Sequence, residues 1–415
     1  MSRESRRRKR VARRVRTRVS PWPAGEQANL LAAALLSGPA ALDAWRAWRA
    51  AADLDRLDQA SFRLVPLLAR NLDRQRVEDD WTPRLRGIHR RAWCANQVLF
   101  RRLSTVLATL GSAGIRTMVL KGAALAEQAY GDLGARPMSD LDVLVPTADF
   151  PRALGVLAGA GWITSPAWIA ECAADPVRFR SRQHAVGMRT AGDAGSVLDL
   201  HQDVFRVYRQ YQVPVPESRL WDASEPCEFH GVATRRLAPH HLLLHVCFHG
   251  LQSQVSAPLR WIPDADRLIR ARERDLDWRA LLADARDLQI VDVLREALPY
   301  LAATFGTPVP AHVLDAVRGE PVALVERLER PLRRGDDGIA AEYCASLAPL
   351  LRHARRPGAG FLRSLGAGHL MRVTFGIPWE HAVHGPWRRL RHRARGPRSA
   401  ADPGGAPGQP SPLPD

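Results

Sequence analysis

The amino-acid sequence predicts an α+β protein: a small mixed β-sheet with flanking helices, joined to a mostly helical C-terminal region. Three observations carry that expectation. Between Thr117 and His201, short apolar runs alternate with polar turns, as strands require. Before and after that stretch, apolar residues recur at helical spacing. The chain has 415 residues, enough for a sheet-based core with substantial helical additions.

Residues 1–24 read as a basic tail ending near Pro21-Trp22-Pro23. Residues 25–113 form a helical N-terminal region in which Leu64, Leu67, Leu68 and Leu72 share helical spacing. Pro66 lies within that pattern, so it either interrupts one helix or opens the next. Residues 114–238 form the α/β core. There Thr117 to Leu120 suits a buried strand, Ala123 to Tyr130 a helix, Leu141 to Val145 a second strand and Phe150 to Ala160 a helix. His184 to Thr190 and Ser196 to His201 suit two further strands around the turn Gly192 to Gly195. Helical patterns then cover 239–395, among them His240 to Gly250, Arg260 to Glu273, Trp278 to Arg286 and Val291 to Phe305. Residues 396–415 are rich in Pro and Gly without periodicity, and are expected to be disordered.

The formal net charge is +17, and much of it is local. Arg3 to Arg18 holds nine arginines and Lys9 against the single acid Glu4, and Arg388 to Arg395 repeats the pattern. Such blocks are commonly solvated tails, and they also attract phosphate surfaces, so weak contact with nucleic acid is a second expectation. The cysteines, Cys94, Cys172, Cys227, Cys247 and Cys344, are scattered and never in a CxxC pair. That argues against a disulfide framework and against a structural zinc site, and fits a reducing cytoplasm. No apolar run approaches the roughly 20 residues of a membrane span; Leu30 to Leu42 is broken by Ser37, Gly38 and Pro39. The arginine-rich start lacks the apolar segment of a secretory signal, although it shares the acid-poor character of an organelle transit peptide.

The chemistry concentrates between residues 118 and 201. In a strand, side chains two apart point to one face, so Asp140 and Asp142 project together while Leu141 and Val143 enter the core. Alone, an Asp-x-Asp at a strand start also serves as a turn or cap. Two adjacent carboxylates repel unless a cation lies between them, and magnesium, held by carboxylates and substrate phosphates, is the usual solution. Val197 to His201 repeats the alternation, with Asp199 and His201 on one face. If the two strands are neighbours, Asp140, Asp142 and Asp199 form a three-carboxylate cluster able to hold two metal ions. Only two of the 60 basic side chains are lysines, and one of them, Lys121, stands with Gly122 where a strand meets a helix. That pair suits phosphate binding: the glycine admits backbone amides and the lysine adds a point charge. Arg136 is a second phosphate candidate or an ordinary surface arginine, and Ser139 adjoins the carboxylates.

Taken together, Val119-Leu120-Lys121-Gly122 through Tyr130, Arg136-Pro137, Asp140-Leu141-Asp142 and Leu198-Asp199-Leu200-His201 resemble an uncharacterised nucleotidyltransferase family of the polymerase-beta-like superfamily. The resemblance spans roughly residues 90 to 290. It implies a nucleotidyltransferase fold and binding of a nucleoside triphosphate, with ATP as the expected donor and magnesium or manganese as the ion. It also implies Asp140, Asp142 and Asp199 as metal ligands. Here the superfamily's commoner Gly-Ser pair is replaced by Lys121-Gly122, and the spacing from Gly122 to Asp140 is longer than usual. Arg260-Trp261-Ile262-Pro263-Asp264 also resembles a stretch of that family.

His240, His241, His245 and His249 form a second group. His241, His245 and His249 recur every four residues, which suits either metal binding or a helix packed beside the site; no His-Glu-x-x-His arrangement is present. His201, His245 and Asp264 are the acceptor-side candidates, with helix capping and core packing as the competing roles for the last two. The expected activity is transfer of a nucleotidyl group to an acceptor hydroxyl on a small molecule, a protein or RNA. A nucleotide-binding regulator without catalysis, and a nucleic-acid binder acting through its basic tails, are the alternatives.

Overall fold

The computed structural model describes residues 22–193, 197–207, 211–212, 216–252 and 259–333. The basic block at 3–18, its counterpart at 388–395 and the Pro/Gly-rich 396–415 lie outside the described residues. The N-terminal helical stretch comprises α1 (Glu26–Leu35), α2 (Gly38–Ala51), α3 (Gln59–Phe62), α4 (Val65–Arg74) and the 31-residue α5 (Thr82–Ser112). Pro66 falls in the first turn of α4, where its missing N–H costs no helical hydrogen bond. Leu67, Leu68 and Leu72 are buried on that helix, as their spacing predicts.

The chain then enters the sheet region. Its order is β1 (Met118–Val119), α6 (Lys121–Leu125) running into a π-helical turn Ala126–Tyr130, β2 (Leu141–Leu144), α7 (Phe150–Gly159), α8 (Pro166–Ala174) and α9 (Pro176–Arg182). β3 (Ala185–Met188), β4 (Leu198–His201), the short pair β5 (Arg206–Val207) and β6 (Tyr211–Gln212), α10 (Glu217–Ala223), β7 (Glu225–Phe229) and β8 (Val232–Arg236) follow. Six strands form one mixed sheet in the order β3-β4-β2-β1-β8-β7, with β2–β4 and β1–β8 parallel and the other neighbours antiparallel. The remaining described helices are α11 (Pro239–Gln252), α12 (Trp261–Ala271), α13 (Trp278–Asp287), α14 (Val291–Phe305), α15 (Ala311–Gly319) and α16 (Leu324–Arg333). Among the described residues, no helix is long and apolar enough to cross a membrane.

Three features differ from the pattern-based expectation. Helices α8 and α9 occupy the stretch between α7 and β3, which carries no clear periodicity. The β7–β8 hairpin is missing from the sequence reading because β7 is an edge strand with half-exposed polar residues and Pro226, the kind of strand that hydrophobic patterning conceals. Asp140 precedes β2 instead of lying within it.

Alternation along the strands separates two apolar layers. Val119, Leu141, Val143, Leu198 and Leu200 pack with Phe100, Leu103 and Leu107 of α5 and with Phe150 and Leu154 of α7. Met118, Leu120 and Leu144 join a second layer that contains α1, α2 and α4 together with α11, α12 and α14. The early and late helices therefore share one core, and that layer lies on the Asp142 side of the sheet.

Candidate active site

The site begins with strand pairing. β2 and β4 run parallel with Asp142 opposite Asp199 and Leu144 opposite His201. Period-2 alternation sends Leu141 and Val143 into the core, and places Asp199 and His201 on the face of Asp142. Donor atoms of Asp142, Asp199 and His201 lie within 4.8 Å of one another. The closest trio thus contains His201, one of the expected acceptor-side residues, in place of Asp140. Asp140 is half-buried at the rim, where its Oδ1 accepts a long 3.4 Å hydrogen bond from the exposed Ser139 hydroxyl.

Lys121 completes the centre. Its Nζ donates to Oδ1 of Asp142 at 2.5 Å and lies 3.5 Å from Nε2 of His201, which is itself 2.9 Å from the same carboxylate oxygen. Burial acts to raise the pKa of Asp142, but the Lys121 charge and the contact with His201 outweigh it and hold the carboxyl well below its usual range. Asp199 moves the other way: burial first, then the negative charge of Asp142, push its pKa up. The two carboxylates are therefore electrostatically distinct.

The backbone that presents Lys121 is unusual. Its φ is +42°, in the left-handed region that non-glycine residues seldom adopt, at the junction of β1 and α6. Such conformations cost of order 1–3 kcal/mol and persist where surrounding structure enforces them. A Cβ at the adjacent Gly122 would stand 2.7 Å from Nη1 of Arg136 and 2.8 Å from the sulfur of Met138, so a larger residue there would displace those side chains.

Arg136 and Asp264, expected on the phosphate and acceptor sides, are joined to each other. Nε and Nη2 of Arg136 donate to the two carboxylate oxygens of Asp264 at 2.7 and 2.8 Å, and the Tyr130 hydroxyl donates to Asp264 at 2.6 Å. All three side chains are buried. Nη1 of Arg136 is directed toward Gly122.

Two residues to which the sequence assigned no role position the turn before Asp140. Asn96 on α5 is fully buried; its amide donates to the carbonyls of Leu133 and Arg136 and accepts from the Met138 N–H at 3.1 Å. It clamps the turn leading to Asp140. A polar residue inside a long helix pattern offers no local signal for that role. Arg260 donates to the Pro137 carbonyl at 3.0 Å, and burial followed by the nearby Arg136 charge lowers its pKa to about 10. Its position at the head of the Arg260-to-Asp264 run was the available clue.

The histidines of α11 divide between two places. His245 is buried with its ring against Phe205 at 5.7 Å, and burial followed by His249 depresses its pKa well below the usual value. His249 is exposed, 6.1 Å from His245. His240 and His241 face Asp284 of α13 instead.

A mixed sheet with helices on both faces and carboxylates meeting on adjacent parallel strands defines an α+β protein with a candidate site centred on Asp142, Asp199 and His201. The family model described as uncharacterised nucleotidyltransferase matches residues 52–306, more than half of the sequence, and the chain belongs to that family. Among solved structures, an antigenic nucleotidyltransferase-like protein from Paracoccidioides brasiliensis is similar, with 14% identity, 52% of this chain and 95% of that chain covered, and a TM-score of 0.30. No curated protein matches.

Proposed function

We propose that this protein is a magnesium-dependent nucleotidyltransferase that moves a nucleotidyl group from a nucleoside triphosphate, with ATP as the expected donor, to an acceptor hydroxyl. The observation that carries this reading is the in-register pairing of Asp142 with Asp199 on adjacent parallel strands. The donor set fits magnesium or manganese, because carboxylate oxygens are their preferred protein ligands. Lys121 and His201 both engage Oδ1 of Asp142, so Oδ2 is the atom available to a metal alongside Asp199, with Asp140 at the rim. Bound magnesium would supply neutralisation of the phosphate charge. Lys121, with Nη1 of Arg136 and the half-buried Arg260, provides positive charge for the phosphates of the donor and leaving group. The Ser139 hydroxyl at the exposed rim and the amides around Gly122 offer further contacts. In this reading Asp199 either ligates the metal or takes the acceptor proton; one lone pair cannot do both. His201 belongs with Asp142 in this reading, and the exposed His249 is the better acceptor-side contact on α11 than the buried His245.

The test is the paired substitution Asp140→Asn with Asp142→Asn. Binding of magnesium-nucleotide by calorimetry, and transfer of label from the α-phosphate to pools of small molecules, proteins and RNA, should both be lost. Wild-type levels of binding and transfer would overturn the proposal.

A second reading, a nucleotide-responsive regulator without catalysis, is favoured by the Lys121–Asp142 ion pair, which already neutralises a carboxylate that a catalytic metal would use. Nucleotide binding without pyrophosphate release across every acceptor pool would select it.

A further inference from the structure

Away from the carboxylates on the sheet, the start of α11 meets α13 in a buried cluster of different chemistry. Nε2 of His240 lies 3.5 Å and Nε2 of His241 2.9 Å from Oδ2 of Asp284, and the three donor atoms fall within 4.8 Å of one another. His241 is 1% exposed, yet neither of its ring nitrogens makes an aligned hydrogen bond among the described residues; the Asp284 contact is close but poorly directed. A buried imidazole in that condition calls for a partner, because an unmade hydrogen bond costs about 1–3 kcal/mol.

We propose that His240, His241 and Asp284 form a zinc-binding site. Tetrahedral zinc with bonds of about 2.0–2.1 Å sets its ligand atoms roughly 3.4 Å apart. The separations of the two Nε2 atoms from Oδ2, 3.5 and 2.9 Å, bracket that value. Two imidazoles and one carboxylate are a borderline donor set that suits zinc far better than magnesium. The carboxylate is already oriented. Nη1 of Arg219 donates to its other oxygen, Oδ1, at 3.2 Å and Nη2 of the same arginine to Asp287 at 2.9 Å, which leaves Oδ2 turned to the histidines. Outer hydrogen bonds of this kind routinely hold metal-ligating carboxylates. His240 and His241 are neighbours in the first turn of α11, with ring centroids 4.1 Å apart, so one ion accepts both without changing the helix. The fourth position falls to water. An ion here would tie α11 to α13 one turn before His245, fixing the helix that also carries His249 toward the sheet site. The site stands apart from Asp142 and Asp199, and its existence does not rest on the proposed transferase activity.

The full-length chain carrying Asp199→Asn, which disables the other candidate cluster, is stripped with chelator and titrated with zinc against a chromophoric competitor. One zinc per chain should survive desalting. Adding His240→Gln or Asp284→Asn should weaken binding by at least about tenfold, with folding of each variant checked by circular dichroism. X-ray absorption at the zinc edge of the same Asp199→Asn chain, loaded with one equivalent, should show two imidazoles. Failure to retain zinc, an edge spectrum without paired imidazoles, or folded variants that bind as tightly as their parent would overturn the proposal.

Discussion

Nζ of Lys121 stands 2.5 Å from Oδ1 of Asp142, so the carboxylate at the centre of the site is neutralised by the chain's own ammonium group. Asp142 is almost fully buried, whereas Lys121 keeps a quarter of its side chain exposed. Replacing Lys121 with Met leaves a buried anion supported only by His201. Breaking such a pair typically costs about 3 kcal/mol. Urea unfolding should show that loss, and the double variant Lys121→Met, Asp142→Asn should recover much of it. The single variant should also bind manganese more tightly without nucleotide, since a competing cation is gone. Unchanged stability together with unchanged manganese affinity would refute the competition.

The Arg136–Asp264 pair is structural in its geometry, bidentate and buried with Tyr130 as a third member. Asp264→Asn should destabilise the fold by about 3–5 kcal/mol, because it strands a buried guanidinium. Tyr130→Phe should cost about 1 kcal/mol. Denaturant midpoints measure both, and equal effects would contradict the assignment of charge to the pair.

Asn96 satisfies three backbone groups of the turn that delivers Asp140. Asn96→Leu should lower stability by about 2–3 kcal/mol and loosen the turn. Amide exchange of the Met138 N–H reports the loosening directly. Protection equal to wild type would show that the clamp is dispensable.

His245 supplies a pH dependence with a definite sign. Burial first and then His249 hold its pKa well below the usual histidine value, so the folded ring stays neutral while the unfolded ring gains a proton below pH 6.5 or so. Its contribution is intact above that unfolded value and is lost as pH falls from there toward the folded pKa, by at most about 1.4 kcal/mol per pH unit. Unfolding free energy measured between pH 7.5 and 5.5 should therefore fall less steeply in His245→Phe than in the wild type. Parallel slopes would remove His245 from the balance.

Gly250 on α11 lies where a Cβ would come within 2.3 Å of the Cβ and Cγ of Trp261. Gly250→Ala must push α11 from α12, and a loss of about 1–3 kcal/mol in thermal or urea unfolding is expected. A neutral outcome would mean that the helices part without cost.

Much of the architecture was legible locally. The 3.6-residue pattern of Leu67, Leu68 and Leu72 gave a helix, and Pro66 took one of its two expected places. Period-2 alternation in Leu141 to Leu144 and Leu198 to His201 marked both strands and the faces of Asp142 and Asp199. The edge strand β7 and helices α8 and α9 were illegible, since half-exposed elements carry little periodic contrast.

By itself the sequence determined which side chains share a face, because backbone geometry repeats every 2 or 3.6 residues whatever the surroundings. Only the tertiary structure decided partners. It set Lys121 and His201 on Asp142, left Asp140 at the rim, and joined Arg136 to Asp264 across 128 residues. It also turned His241 toward Asp284 while His245, one turn along the same helix, faces Phe205. Such pairings depend on burial and on which elements pack together, and local periodicity carries no record of either.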